Sequence, residues 1–359
     1  MGIFRRRKDP VIASLEPMLH QHAAGADIAF VEDEGKYLVG GTQVHLANLR
    51  HGWEQRDEPE RNVWLDTAVR GLLTSTIPDT LQPGDTDHVM VGIRSRATIE
   101  HVRLNKLATD HEDNLGIAVR PITNDIGAVL LWDTPTTMGM INTDTLTSWG
   151  RSYDELYEVA VDNLRRLEVT GWASIDNTAF RLLDSDDYAA SRLLIPELFD
   201  QLPLDGDIVA LIPNRSCLTV AAAADPTGVA IALDLALQEL DGPSQVSLAP
   251  VVGRGGQWRP LTLAPDHPGY AAWRHLTRLD AAINADGTQQ PLQQVLGDDL
   301  FVASLIVREN DDGLAESICT WANGVPSLLT KADMVAFARS ESDVRLVEWD
   351  QVMATVGPM

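Results

Sequence analysis

The chain has 359 residues, 44% of them apolar and 22% charged, ordinary values for a globular protein with enough length for two domains. Its 28 Lys and Arg stand against 52 Asp and Glu, a formal net charge of −24, and a surface this acidic repels phosphate backbones and argues against nucleic acid as a partner. No run of about 18 apolar residues offers a membrane-spanning helix.

The only dense basic run, Arg5-Arg6-Arg7-Lys8, is followed by Asp9-Pro10 rather than the apolar stretch of a secretory signal. It reads as a solubilising start, with weak contact to anionic lipid or RNA as the alternative. Residues 1–25 are expected to be a flexible lead-in, with a short helix from Val11 to His22 interrupted by Pro17. Ile28–Val31 and Tyr37–Val39, joined by an acidic turn, form a hairpin pattern. An element follows from Val44 to Trp53, and Val63, Leu65, Ala68, Val69, Leu72 and Leu73 make a helical stripe over 61–73. Residues 75–88 read as a loop, 88–93 as a short strand and 115–121 as a second. Ala128–Trp132, apolar without alternation, reads as a fully buried strand.

The strongest element is a helix from Tyr153 to about Glu168. Ser152 and Glu155 have the spacing of a capping box, and Leu156, Ala160, Leu164 and Leu167 lie on one face. Beyond it, a helix is predicted over 187–202 and a buried strand over 207–212. Pro213-Asn214-Arg215 breaks that run before a partner strand at 217–222, and an apolar helix spans 229–240. Glycine and proline between 241 and 268 indicate strands and loops, with Gly253-Arg-Gly-Gly256 as a hairpin turn. The last part predicts a helix over 270–283, a turn at Asn284–Gly287, strands over 300–308 and 317–321, a tight turn at Asn323-Gly324 and a helix over 332–338. Strands and helices mix without a regular βαβ beat, so the fold class is α+β, with mixed or antiparallel sheets and packed helices. The expected division is 1–25, 26–245 and 246–359.

Signatures of known chemistry are sparse. Walker A, HExxH, GxSxG and EF-hand patterns are missing from the sequence. Nine histidines show no ligand spacing: His20 and His22 fall in the lead-in, and His45 and His51 flank an element boundary. Cys217 and Cys319 lack CxxC spacing and read as reduced core residues, which together with the missing signal points to a cytoplasmic address. No metal or cofactor is expected. Asp110, Glu112 and Asp113 surround His111, a pattern read as a solvated loop. The nine tryptophans suit core or subunit interface. Two polar placements stand out. Asn163 sits at the edge of the apolar helical stripe, where a buried amide must find partners. Asn214 and Arg215 interrupt an apolar strand pair, either as a turn or as an anion-recognising guanidinium at a groove.

Four segments occur in order: Ile117-Ala-Val-Arg120-Pro121, Ala128-Val-Leu-Leu-Trp132, Tyr153–Leu164 and Asp207-Ile-Val-Ala-Leu-Ile-Pro-Asn214-Arg215. In these the chain resembles the YtpQ-like bacterial proteins, domain of unknown function 1444, over residues 28–225. Val44–Leu49 is similar to that family's early "NL" segment, whereas Ser216 stands where the family has Asp. The resemblance implies no activity, but it singles out Arg120, Asn163, Asn214 and Arg215 as candidate binding residues. Three functions are expected from these readings. The first is a non-enzymatic, chaperone-like module for protein or peptide, with basic partners favoured by the acidic surface. The second is a hydrolase built on Arg120, Asn214, Arg215 and a carboxylate such as Asp133. The third is a structural component of a bacterial assembly or defence system.

Overall fold

The computed structural model describes residues 9–32, 35–40, 42–54, 56–74, 77–110, 116–134, 137–184, 186–240, 244–340 and 343–356. It is an α+β protein, as the mixed pattern predicts, built in consecutive layers along the chain.

The first layer corrects the flexible lead-in. Helix α1 (Pro10–His22) starts on Asp9, whose side chain accepts from the Val11 and Ile12 amides, and it carries Pro17 without breaking. Leu15 and Leu19 are fully buried against antiparallel strands β1 (Ile28–Val31), β2 (Lys36–Val39) and β3 (Thr42–His45) and helices α2 (Leu46–Glu54) and α3 (Glu58–Thr74). His22 reaches Asp66 at 2.6 Å, and the Tyr37 hydroxyl donates to Glu16 at 2.7 Å. The apolar stripe of residues 11–19 therefore outweighs the cost of one internal proline. Residues 1–8 and the core of the Asp110–Asp113 cluster lie outside the described residues.

The second layer is antiparallel: β4 (Val89–Ser95) and β5 (Val119–Pro121) flank β6 (Ile126–Asp133), which also pairs with β7 (Met138–Met140). Helix α4 (Arg96–Asp110) follows β4, and α5 (Thr143–Trp149) precedes α6 (Tyr153–Arg166). Both halves of the Ser152/Glu155 capping box are closed, and Leu156, Ala160 and Leu164 bury the inward face of α6 against β4 and β6.

The third layer is a six-stranded antiparallel sheet. It runs β13 (Gln257–Pro260), β12 (Gln245–Arg254), β10 (Ile208–Asn214), β11 (Thr219–Ala222), β9 (Ala179–Leu182), β8 (Trp172–Ile175), with α7 (Pro226–Leu237) on one face. Because β12 pairs with β10, a boundary at 245/246 would cut through this sheet. The expected helix over 187–202 is instead two 3-10 turns, Ala190–Leu194 and Pro196–Gln201. Pro196 pushes Ile195 out of helical conformation (φ −116°, ψ 82°) and ends the first turn. Gly255 and Gly256, both at positive φ, make the β12–β13 turn.

Helix α8 (Tyr270–Leu296) runs straight through the expected turn at 284–287, because it lies against α4, β12 and the last layer along its length. That last layer is a mixed sheet, β15 (Leu305–Glu309), β16 (Ala315–Ala322), β18 (Met334–Ser340), β19 (Asp343–Glu348), beside the parallel pair β14 (Phe301–Val302) and β17 (Ser327–Leu328), and it ends in α9 (Trp349–Val356). The expected helix over 332–338 is instead mostly strand: Met334–Ala338 pair on both sides, with β16 and β19, and that ladder overrides the helix propensity of Met334, Ala336 and Ala338.

One carboxylate joins α8 to this sheet. Asp333 accepts both guanidinium arms of Arg278 (3.0 and 2.7 Å) and the Ser317 backbone N–H (2.9 Å) and hydroxyl (3.0 Å). Burial alone would raise its pKa, but Arg278 and Ser317 outweigh it and hold the carboxyl below the ordinary aspartate value. A depressed folded-state pKa contributes stability above the unfolded-state value, lost as pH falls through the folded one. Asp333→Asn is expected to cost about 2 kcal/mol at neutral pH. The variant and the parent should converge as pH falls through the depressed folded-state pKa of Asp333, below the ordinary aspartate value, in denaturant midpoints measured across pH.

Candidate functional site, a paired-arginine centre

The second and third layers meet where β4 runs beside β12 and the 190–194 turn. Three backbone-level ties set this seam. The Ile93 N–H donates to the Ser191 hydroxyl (3.2 Å), the Ala190 N–H to the Arg215 carbonyl (3.0 Å), and the Arg215 N–H to the Ser244 carbonyl (3.1 Å). The 186–192 segment is held by Arg192, which is 0% exposed. Its guanidinium grips Asp186 with two bonds of 2.6 and 2.8 Å and donates to the Glu168 carbonyl at the end of α6. Asp187 and Tyr188 are thereby aimed at the seam.

Two further guanidinia meet there. Arg94 Nη1 donates to the Ile93 carbonyl (2.9 Å), and its Nη2 to the Met138 sulfur (3.3 Å). Arg215 Nη1 reaches the same sulfur at 3.5 Å, and its Nη2 donates to the Ser244 hydroxyl. Asp187 stands 3.8 Å from Arg215 Nε, too far for a hydrogen bond, and that buried Nε has no acceptor. Among the described residues Arg94 has no carboxylate within ion-pair distance. Sharing one sulfur keeps the two cations within about 7 Å, a repulsion of roughly 2 kcal/mol at an effective dielectric of about 20. A thioether is a weak acceptor and does little to offset it.

The electrostatics follow. Removal from water, then the Arg215 cation, lower the Arg94 pKa to about 10, while Tyr188 and Asp187 oppose them. Burial raises the Asp133 pKa, with Asp187 adding to it and Tyr188 and His88 opposing. The Tyr188 hydroxyl lies near enough to feel Asp133 but closes no hydrogen bond of ordinary geometry. His88, exposed at the rim, meets the Asp133 carbonyl through Nδ1 at 2.9 Å. Glycine at 92 is required by this packing: a β-carbon there would stand 2.9 Å from Arg94 Nη1 and would also strike Leu131.

No family model, curated protein or solved structure matches the chain. The centre therefore rests on its own chemistry. Two converging guanidinia, one with a buried Nε that has no acceptor, together with a tyrosine hydroxyl beside Asp133, form a donor-rich cluster suited to an oxyanion.

Of the residues singled out by sequence, the structure brings Arg215 and Asp133 to this centre. The other three belong elsewhere. Arg120, on β5, pairs with Asp154 at 2.8 Å and lies 3.7 Å above the Tyr157 ring. Asn163 donates to the Thr86 and Val89 carbonyls (both 2.8 Å) and accepts from Arg166, tying α6 to β4. Asn214 turns away from Arg215, donating to Glu239 (3.3 Å) and accepting from the Ser216 N–H. Arg94, Asp187, Tyr188 and Arg192 were missed. The readable signal for Arg94 was a charge at the end of the apolar Val89–Ile93 strand, two residues after a glycine that leaves it room.

Replacing a poorly compensated, largely buried cation by an apolar side chain of similar length commonly stabilises. Arg94→Met is thus expected to raise stability by about 1 kcal/mol, and Gly92→Ala, which displaces Arg94 and Leu131, to lower it by about 2 kcal/mol. Denaturant midpoints of the two variants against the parent check both signs.

Proposed function

We propose that this chain is a non-enzymatic binding protein that captures a protein or peptide ligand through one of the ligand's acidic groups, held between Arg94 and Arg215. The observation that carries this reading is the shared Met138 sulfur: two cations converge on a thioether, Arg94 with no carboxylate at ion-pair distance among the described residues and Arg215 with only Asp187 at 3.8 Å, and the buried Arg215 Nε is left for an incoming oxyanion. The surroundings fit a peptide. Met138 is adaptable, Tyr188 offers a hydroxyl donor, and exposed His88 beside Trp132 offers ring surface at the rim. The net charge of −24 draws ligands whose other residues are basic, so the favoured occupant is a carboxylate on a cationic segment, such as a basic peptide ending in its free carboxyl group. The likeness to the YtpQ-like proteins supports placing residues 28–225 in that family and adds nothing on activity.

A second reading draws on Asp133. A half-buried carboxyl whose pKa is raised by burial, next to the Tyr188 and Asp187 that also face the guanidinia, has the character of a general acid, as a hydrolase would use. Calorimetric titration separates the ligands: a basic hexapeptide with a free C-terminus is expected to bind roughly tenfold or more tightly than its C-terminal amide. That preference should vanish in Arg94→Met and Arg215→Met. Equal binding of acid and amide would contradict the proposal. Turnover of phosphoester, ester or peptide substrates that falls by about two orders of magnitude in Asp133→Asn would move the assignment to the hydrolase.

A further inference from the structure

A second site lies away from the arginine centre, where α4 crosses α8. A cavity of about 270 Å³ opens there, bounded by Ser95 and Thr98 at the start of α4, His101 and Val102 on α4, Gln245 and Val246 at the start of β12, and Asp280, Ile283 and Asn284 on α8.

Its floor holds an unusual group. Asp280 is 7% exposed, and every bond it makes is one it accepts: Oδ1 from the Leu248 N–H (2.6 Å) and the Ser247 hydroxyl (3.1 Å), Oδ2 from the Asn284 amide (2.8 Å). Three donors aimed at one carboxyl favour the ionised form, but burial outweighs them and raises the carboxyl above the ordinary aspartate value, and among the described residues no Lys, Arg or His nitrogen stands within ion-pair distance to restore the charge. The charge that acts on Asp280 is another carboxylate, that of exposed Asp125, which raises it further. An isolated buried charge is expensive, and proteins retain one where a counter-charge arrives. A second observation points to the same occupant. The Gln245 Nε2 group, on the cavity wall, is fully buried and has no acceptor. Val102, Val246 and Ile283 supply an apolar side, and His101, fixed by its Nδ1 contact to the Gly287 carbonyl (2.7 Å), closes another.

We infer that this cavity binds a small ammonium compound carrying a neighbouring acceptor oxygen, its cationic nitrogen on Asp280, its oxygen on Gln245 and its apolar part against Val102, Val246 and Ile283. The cavity volume suits a molecule the size of an amino-acid amide. The free acid is disfavoured by Asp125 and Asp280. The site is independent of the arginine centre, sharing none of its side chains, so either can fail alone.

The test uses the full chain with leucinamide, which has an ammonium, a carbonyl and an isobutyl group, and with 4-methylpentanamide, which lacks only the amino group. Titration followed by the Gln245 side-chain NH₂ and His101 ring resonances should show saturable leucinamide binding, roughly tenfold or more tighter than the desamino compound. Asp280→Asn should abolish that preference. Gln245→Leu, placed at the edge of a strand and needing no rearrangement of buried donors, should weaken leucinamide while leaving the fold intact, and it serves if Asp280→Asn does not fold. Absence of saturable leucinamide binding, equal binding of the two compounds, or full affinity in Gln245→Leu would overturn the assignment.

Discussion

The fork between Arg192 and Asp186 is the constraint on which the seam between the two central sheets depends. A guanidinium with no exposed surface needs its charge compensated, and here Arg192 makes two bonds to Asp186 and one to the Glu168 carbonyl, only its Nε being left without a partner. Breaking such a pair costs about 3–5 kcal/mol, since the remaining charge is left buried. That penalty holds residues 186–192 in a conformation neither helix nor strand propensity would choose. From it follow the Ser191 clasp on β4, the Ala190 clasp on Arg215, and the direction of Asp187 and Tyr188.

The arginine centre is correspondingly a place where stability has been given up. Arg94 folds back over Gly92 into a site where water is scarce and a second cation is close, and its pKa falls for both reasons. Nothing in packing requires an arginine there; a methionine would fill the space. Sites that retain poorly compensated charge at a layer boundary are usually sites that receive something, and the sign of the unspent groups states what. The α8 cavity is the mirror image. There a carboxylate lacks its cation, and an amide donor lacks its acceptor. Both sites flank the same strand register, one reached from the end of β10 and the other from the start of β12, so the third layer carries a cation-rich and an anion-rich site on adjacent strands.

Much of the architecture was legible in the residues. The capping box at Ser152, the apolar stripe of α6, the buried run Ala128–Trp132 and the glycine turn at 255–256 each have a local physical cause, and each appears where that cause puts it. What failed has a different origin. The 187–202 segment carries good helix formers, but Pro196 and the Asp186–Arg192 fork overrule them. Residues 332–338 look helical until β16 and β19 are present to pair with them, and Asn284–Gly287 looks like a turn until α4 packs alongside. Of the candidate residues, Arg215 could be singled out because a cation closing an apolar strand is conspicuous. Its pairing with Arg94 could not be read from the sequence, because it is made where β4 runs beside β12 and the 190–194 turn, bringing together residues more than a hundred apart in the chain. Asn163 was correctly read as an amide needing partners, and those partners, the Thr86 and Val89 carbonyls, make it a structural tie.

The central claim, that Arg94 and Arg215 face each other with donors left for an oxyanion, is tested most directly by diffraction from crystals soaked in selenate, using the selenium anomalous signal. The expected result is one anomalous peak within hydrogen-bond distance of both guanidinia, displaced or lost in Arg94→Met. Guanidinia closed onto Asp133 and Asp187, with no selenium between them, would contradict the account.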